Sequence, residues 1–401
     1  MKILHTADWH LGKRLDSFSR LEEQVRVMEE IVAIADEQEA DLVLVAGDLF
    51  DNFNPPVDAV ELFYKTLKRL SKNGARPVIA ISGNHDAPGL IDAPNPLAKA
   101  CGIILIGQPN ALVSTYELEQ FSISRSDKGF IELRLNHLDY PVRILHTAYA
   151  NEQRLKENLG EDKEASLNRL LADNWQKLAD TYCDKQGVNL LLAHLYMNKQ
   201  GAAIIEEPEG EKPIKIGNAT MIYSEAIPAQ VQYTALGHIH GFKNIGTEEK
   251  PVIYASSPLC YSFSEAGQEK YVNIVELQPG ENARYQRITL QSGRPLYRKT
   301  FDNIDTAVEW LSQNKYALVE LTLESDTFLN AAERKSIYQS HDGIIFLIPK
   351  LKADGVSATN ATEVNLNQDM QSLFKDYFRS RHGQQEPNEE LMNLFNEILN
   401  S

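Results

Sequence analysis

Five apolar runs, at residues 2–5, 42–46, 78–81, 190–193 and 233–236, are each followed within three residues by a polar cluster drawn from aspartate, asparagine, histidine and glycine. A continuous apolar run of four or five residues is the signature of a strand buried on both faces, because helices cover both sides of a parallel sheet. The polar cluster after it falls at the strand's carboxyl end, where open α/β sheets keep their sites. A chain punctuated this way is held to an α/β architecture with one site along a sheet end.

The segments between the runs agree. Ser19 and Glu22 have capping-box spacing, and Leu21, Val25, Met28, Val32 and Ala35 follow at helical intervals. Pro55 and Pro56 lead into a second amphipathic helix to about residue 71, which Gly74 stops. Residues 103–106, 111–118, 131–135 and 142–146 predict a β-rich run, and 151–185 a charged helical stretch broken near Gly160. A second set of strands is expected at 190–193, 233–236, 252–255 and 271–277, which gives two sheets face to face with helices outside. Residues 199–217 read as an exposed loop. Helices at 304–313 and 331–340 alternate with strands at 316–323 and 344–349, so a small α+β domain is expected. The division expected is 1–295, 296–352, and 353–401, the last comprising a polar linker and amphipathic helices.

Composition excludes several classes. With 43% hydrophobic and 24% charged residues over 401 positions, the chain is neither disordered nor fibrous. Cys101, Cys183 and Cys260 form no CxxC pair, which argues against a disulfide framework or thiolate zinc site and for buried thiols in a reducing compartment. The opening MKILHTADWH lacks the apolar stretch of a signal peptide, and no apolar run reaches the roughly 20 residues of a membrane span. These features read as soluble and cytoplasmic. A net charge of −16 opposes any protein that coats nucleic acid by charge, yet not an enzyme that grips phosphate through metal ions.

The clusters themselves are Asp8-x-His10, Gly47-Asp48, Gly83-Asn84-His85-Asp86, His194 and Gly237-His238-x-His240. Alone, each has an ordinary reading: Asp8 and His10 a turn pair, Gly47-Asp48 a strand ending, His194 a structural histidine. Together they supply hard oxygen and imidazole donors without thiolate, the set suited to manganese, iron or zinc. One ion does not need so many donors. Two coordination spheres sharing a carboxylate do, and a metal pair about 3.5–4 Å apart is what phosphoester hydrolysis uses. His137, His146, His341 and His382 have no such companions and read as structural or surface residues.

In this order the clusters resemble the signature of the calcineurin-like metallophosphoesterase superfamily. The segments HTADWHLGKRL at 5–15, VAGDLFDNFNPP at 45–56, ISGNHDAP at 81–88, ALGHIH at 235–240 and SSPLCYSFSE at 256–265 are similar to its double-strand-break nucleases. The resemblance implies two Mn²⁺ ions, with Asp8, His10 and His240 on one, Asn84, His194 and His238 on the other, and Asp48 between. It implies His85 as general acid or transition-state stabiliser, with Asp86 orienting it. Ala193 and Ser256 replace glycines usual in the family. Lys13, Arg14, Arg20, Lys199 and Lys243 follow the motifs closely enough to meet DNA phosphates. The activity implied is exonuclease on duplex ends with endonuclease action on single strands or hairpins. The implied partner is a coiled-coil ATPase docked by the C-terminal helices, with residues 296–352 as a capping domain. Helices at 57–71 and 88–100 would form a homodimer within a heterotetramer. The chain has no G-x-x-x-x-G-K-[ST] loop for ATP. The alternative is a phosphatase or cyclic-nucleotide phosphodiesterase, against which GDLFDN stands where serine/threonine phosphatases carry GDxxDRG; a non-catalytic scaffold would have been expected to lose a ligand.

Overall fold

The computed structural model describes residues 1–205, 220–325, 329–351 and 370–381, and positions 387, 391, 392 and 395. Residues 1–350 and 351–401 form two compact units.

The first unit is built on two sheets. One has six strands in the order Arg284–Thr289, Tyr271–Glu276, Lys2–Thr6, Leu42–Ala46, Val78–Ile81, Ile103–Ile106. Its last four run parallel, and the first two close the edge antiparallel. The other has eight strands, with Val142–Thr147, Val188–His194, Tyr233–Gly237 and Val252–Tyr254 parallel at its centre.

The two-residue period of a strand decides what each side chain touches. Leu42, Leu44 and Ala46 face the second sheet, where Ile144, Leu190, Leu192 and Ala235 meet them. Val43 and Val45 face the other way, onto Val27 and Ile31 of helix Leu21–Glu37 and Phe63 and Leu67 of helix Val57–Leu70. On the second sheet, Leu191 and Ala193 pack outward against Leu171 and Trp175 of helix Lys163–Tyr182. Mixed α/β layering with two facing sheets is therefore what forms.

Three local expectations are corrected. Helix Leu21–Glu37 begins without a capping box: Arg20 is its N-cap with no side-chain cap bond, and Ser19 is held in a two-residue ribbon against Arg14. Val25, expected in the buried stripe, is 37% exposed. The three cysteines are free but only half-buried. Three strands, Phe121–Asp127, Arg284–Thr289 and Leu296–Phe301, were not legible, since the first is polar over half its length, the second is an edge strand with no buried residue, and the third has one. Of the run at 111–118 only Tyr116–Glu117 pairs.

Strands Leu296–Phe301, Leu318–Ser325 and Ile344–Leu351 form a separate sheet, crossed by helices Ile304–Gln313 and Ala331–Ser340. Ala307, Leu311, Val319, Leu321 and Ile337 make its core. Leu296 and Leu318 also pack on Leu15 and Phe263 of the main body. In the second unit the described helix is Met370–Arg381, whose Phe374 stacks on Phe395 at 4.2 Å between centroids. The expected linker at 352–360, most of the amphipathic run at 364–401, His382 and the loop from 206 lie outside the described residues. Among the described residues no helix is long and apolar enough to cross a membrane.

Candidate metal centre

All five clusters converge at the carboxyl ends of central strands. Asp8 follows Lys2–Thr6, Asp48 follows Leu42–Ala46, Asn84 follows Val78–Ile81, His194 ends Val188–His194, and His238 follows Tyr233–Gly237. Turning a chain sharply at a strand end puts residues in left-handed backbone. Asp8 (φ 54°), His10 (φ 43°), Asp48 (φ 47°) and His238 (φ 107°) all sit there. Such conformations cost on the order of 1–3 kcal/mol each in a non-glycine residue and gather at functional sites. Two glycines make room for the donors: a Cβ on Gly47 would lie 2.2 Å from His194 Nδ1, and one on Gly83 would lie 2.1 Å from Asp48 Oδ1.

The seven donors form one connected, largely buried cluster. His10 Nε2 faces His240 Nε2 at 3.0 Å and lies 3.7 Å from Asp48 Oδ2. His194 Nε2 is 3.3 Å from the same Asp48 oxygen. Asn84 Oδ1 lies 2.9 Å from His194 Nε2 and 3.1 Å from His238 Nδ1. Asp8 Oδ1 accepts from the His238 backbone N–H at 2.8 Å. Asp8 Oδ2 and Asp48 Oδ2 are buried and, among the described residues, have no well-formed hydrogen bond, His194 Nε2 being the near neighbour of the second. A buried carboxylate oxygen without a donor is costly unless a cation meets it.

Among the described residues, three sets of donor atoms lie within 4.8 Å of one another: Asp8, His10 and Asp48; Asp48, His194 and His238; and His10, Asp51 and His85. Asp48 belongs to two of them. Oxygen and imidazole donors of this kind suit a divalent metal.

Burial raises the Asp8 carboxyl to about 7, against the pull of His194 and His240. For Asp48 burial acts upward, but His194 and His85 outweigh it and hold the group well below the usual carboxylate range. Burial opposes charge on His194, yet Asp48 and Asp8 raise it to about 9.

The supporting contacts correct two expectations. Asp86 directs its carboxylate to the backbone N–H groups of Gly83, Leu49 and Phe50 at 2.8–3.0 Å, so it ties two site loops together. The His85 ring is oriented by another group: its Nδ1–H donates to the Asp51 carbonyl at 2.8 Å. Arg20, expected near phosphate, is 1% exposed and donates to both Glu23 oxygens at 2.8 Å and to the Cys260 carbonyl at 2.7 Å. It is a structural cation. Lys13 pairs with Asp51 at 3.0 Å, and Arg14 is exposed; both line a cavity beside His85. Lys199 and Lys243 are exposed, the latter on an edge strand.

Three residues escaped the sequence reading. Glu265 faces His240 Nδ1 at 3.3 Å and is held by Lys270 at 2.5 Å, so a carboxylate orients that imidazole. The Asp51 carboxylate lies 3.7 Å from His10 Nδ1. Arg154 donates to the carbonyls of Gly83 (2.8 Å) and Asp86 (2.7 Å) and braces the Gly83–Asp86 turn. The SFSE segment carried a capping-box signal for Glu265, with Ser262 as N-cap; nothing local marked Arg154. Of the two glycine replacements, Ala193 lies within its strand, whereas Ser256 takes up φ 77° and its Oγ accepts from Tyr271 N–H at 3.0 Å.

Two facing sheets that present this buried donor set at their strand ends define a metal-dependent phosphoesterase. The calcineurin-like phosphoesterase family model matches residues 1–241. The SbcD subunit of nuclease SbcCD from Bacillus subtilis (strain 168) is 33% identical over 405 residues, 99% of this chain and 97% of that protein. The chain belongs to the calcineurin-like phosphoesterase family and is a homologue of that nuclease component. Among solved structures, TT1561 of Thermus thermophilus aligns with TM-score 0.35 and 12% identity over 71% of this chain and 98% of that one. A dimetal phosphatase from Danio rerio aligns with TM-score 0.35 and 12% identity over 73% and 99%. Similarities at that level do not bear on the assignment.

Proposed function

We propose that the chain is a Mn²⁺-dependent DNA nuclease, an exonuclease on duplex ends and an endonuclease on single strands or hairpins. The observation that carries the metal reading is the pair of buried oxygens, Asp8 Oδ2 and Asp48 Oδ2, that no well-formed hydrogen bond satisfies among the described residues, within a ring of imidazoles. Asp8, His10 and His240 hold one ion, Asn84, His194 and His238 the other, and Asp48 is shared. When bound, the pair of ions supplies an activated water and neutralises charge on the phosphate. His85, anchored through Nδ1 by Asp51, meets the phosphate and aids the leaving oxygen. Lys13 and Arg14 draw the DNA backbone to the cavity. The nuclease reading is supported by near full-length similarity to a protein named as part of a nuclease.

The same similarity supports action with an SbcC-type coiled-coil ATPase, docked by residues 353–401, as a homodimer within a heterotetramer. Residues 296–352 serve as the capping domain, and the complex works in the cytoplasm on DNA breaks.

The test is degradation of end-labelled duplex and hairpin DNA in Mn²⁺, Mg²⁺ and chelator, with bis-p-nitrophenyl phosphate alongside. Mn²⁺-dependent loss of label supports the reading. Cleavage of the small diester alone, unchanged when the ATPase is added, replaces it with a small-substrate phosphodiesterase.

Glu265→Gln gives a second expected outcome. Weakening the carboxylate behind His240 lowers Mn²⁺ affinity about 10–100-fold, measured by calorimetry. An unchanged affinity would show that Glu265 does not tune the metal through His240.

A further inference from the structure

Beside the cluster lies a cavity of about 420 Å³, within the roughly 300–1,000 Å³ of small-molecule sites. Its walls come from both parts of the first unit. His85, Lys13 and Arg14 belong to the main body's site loops, Phe263 to the turn that Glu265 caps, and Phe346 to strand Ile344–Leu351 of the small sheet. Phe263 is 5% exposed and fixed. Phe346 is 38% exposed, and its ring meets that of Phe263 edge-on at 5.9 Å between centroids and 62°.

One wall of the cavity therefore carries the histidine of the proposed reaction, another carries Arg14 and Asp16 with Lys13 and Arg298 paired to Asp51 and Glu320, and a third carries two aromatic rings. A bare phosphate or a small alkyl phosphoester has nothing to offer the rings. A nucleotide does: its phosphate reaches His85 and the cations while its base presents a flat face to an aromatic side chain. A base inside a duplex is stacked on its neighbours and cannot do so, whereas an unpaired or frayed base can.

We propose that this cavity is a nucleobase subsite, in which Phe346, backed by Phe263, stacks on the unpaired base next to the scissile phosphate. The subsite rests on the nuclease reading above and adds its specificity: cleavage is favoured where a base has left the helix. Phe346 is a specificity residue that touches substrate without taking part in proton transfer.

The experiment compares the full-length parent chain, Phe346→Ala and Phe346→Trp in Mn²⁺ on a single-stranded oligonucleotide. A second series replaces one nucleotide at a time by an abasic tetrahydrofuran residue. Base–aromatic stacking makes the expected effect a rise in KM of about tenfold for Phe346→Ala. kcat should stay within about twofold, since the contact is made equally in ground and transition states. Phe346→Trp restores KM. In the parent chain an abasic residue at one position relative to the cut raises KM to the same extent, and in Phe346→Ala it adds nothing. If the oligonucleotide is cleaved but neither Phe346→Ala nor any abasic position changes KM, the subsite is wrong and the nuclease reading stands. If the parent chain, with the ATPase present, cleaves no oligonucleotide, both fall.

Discussion

A His85→Gln variant cleaves DNA about 10²–10⁴-fold more slowly than the parent chain in Mn²⁺, the range for loss of a positioned acid–base group, while its Mn²⁺ affinity is unchanged. The geometry makes this a sharp test, because two roles are open to this ring. His85 forms a donor set with His10 and Asp51, and its ring lies 4.9 Å from that of His10. A ligand role would therefore be sterically reasonable. The Nδ1–H bond to the Asp51 carbonyl suits either role, whereas the backbone N–H donates to Asp48 Oδ1 at 2.9 Å and the ring lines the cavity beside the cluster, as the catalytic role requires. Glutamine keeps a polar group of similar reach but cannot deliver a proton near neutral pH. Calorimetry with Mn²⁺ beside initial rates separates the roles. A parallel fall in metal affinity makes His85 a ligand.

Protonation of His5 and His146 on unfolding contributes a loss of about 4 kcal/mol of stability between about pH 6.5 and pH 4.5. His5 and His146 are wholly buried, and burial lowers them to about 3 and about 4. His5 Nδ1 pairs with the Tyr233 hydroxyl at 2.8 Å, and among the described residues neither ring nitrogen of His146 has a hydrogen-bond partner. The folded state keeps both neutral, whereas the unfolded chain protonates them from about pH 6.5 downward. Below that pH the unfolded state binds more protons, so stability is full above about 6.5 and falls as pH drops toward the folded values. Each group contributes about 1.4 kcal/mol per pH unit. Urea unfolding at successive pH values measures the slope. His146→Leu removes one proton from it, and an unaltered slope would show that His146 does not carry the linkage.

The site was legible where chemistry demands particular donors at particular places. Asp8, His10, Asp48, Asn84, His194, His238 and His240 could be picked out because each follows a strand whose apolar run is unmistakable, and the structure brings them together. Arg154 was not legible: it sits in a four-residue helix within a charged stretch, and only the fold carries it to the Gly83–Asp86 turn. Arg20 shows the converse error. Proximity in sequence to His10 suggested a phosphate contact, but the chain turns inward and Glu23 neutralises it. Asp86 was placed correctly in the site and given the wrong neighbour, because a side chain's nearest acceptor cannot be read from a motif. The sheet layering was legible for the same reason as the ligands, through continuous apolar runs. Arg284–Thr289 was not, because an edge strand exposed to water needs no apolar pattern.

In the proposed site Asp48 joins two ions in one buried cluster. Electron paramagnetic resonance of the chain titrated with Mn²⁺ tests it directly. Two ions per chain, with the exchange-coupled spectrum of a pair about 3.5–4 Å apart that Asp48→Asn converts to isolated-ion signals, is the predicted result. A single uncoupled ion at saturation, or coupling that survives Asp48→Asn, would contradict it.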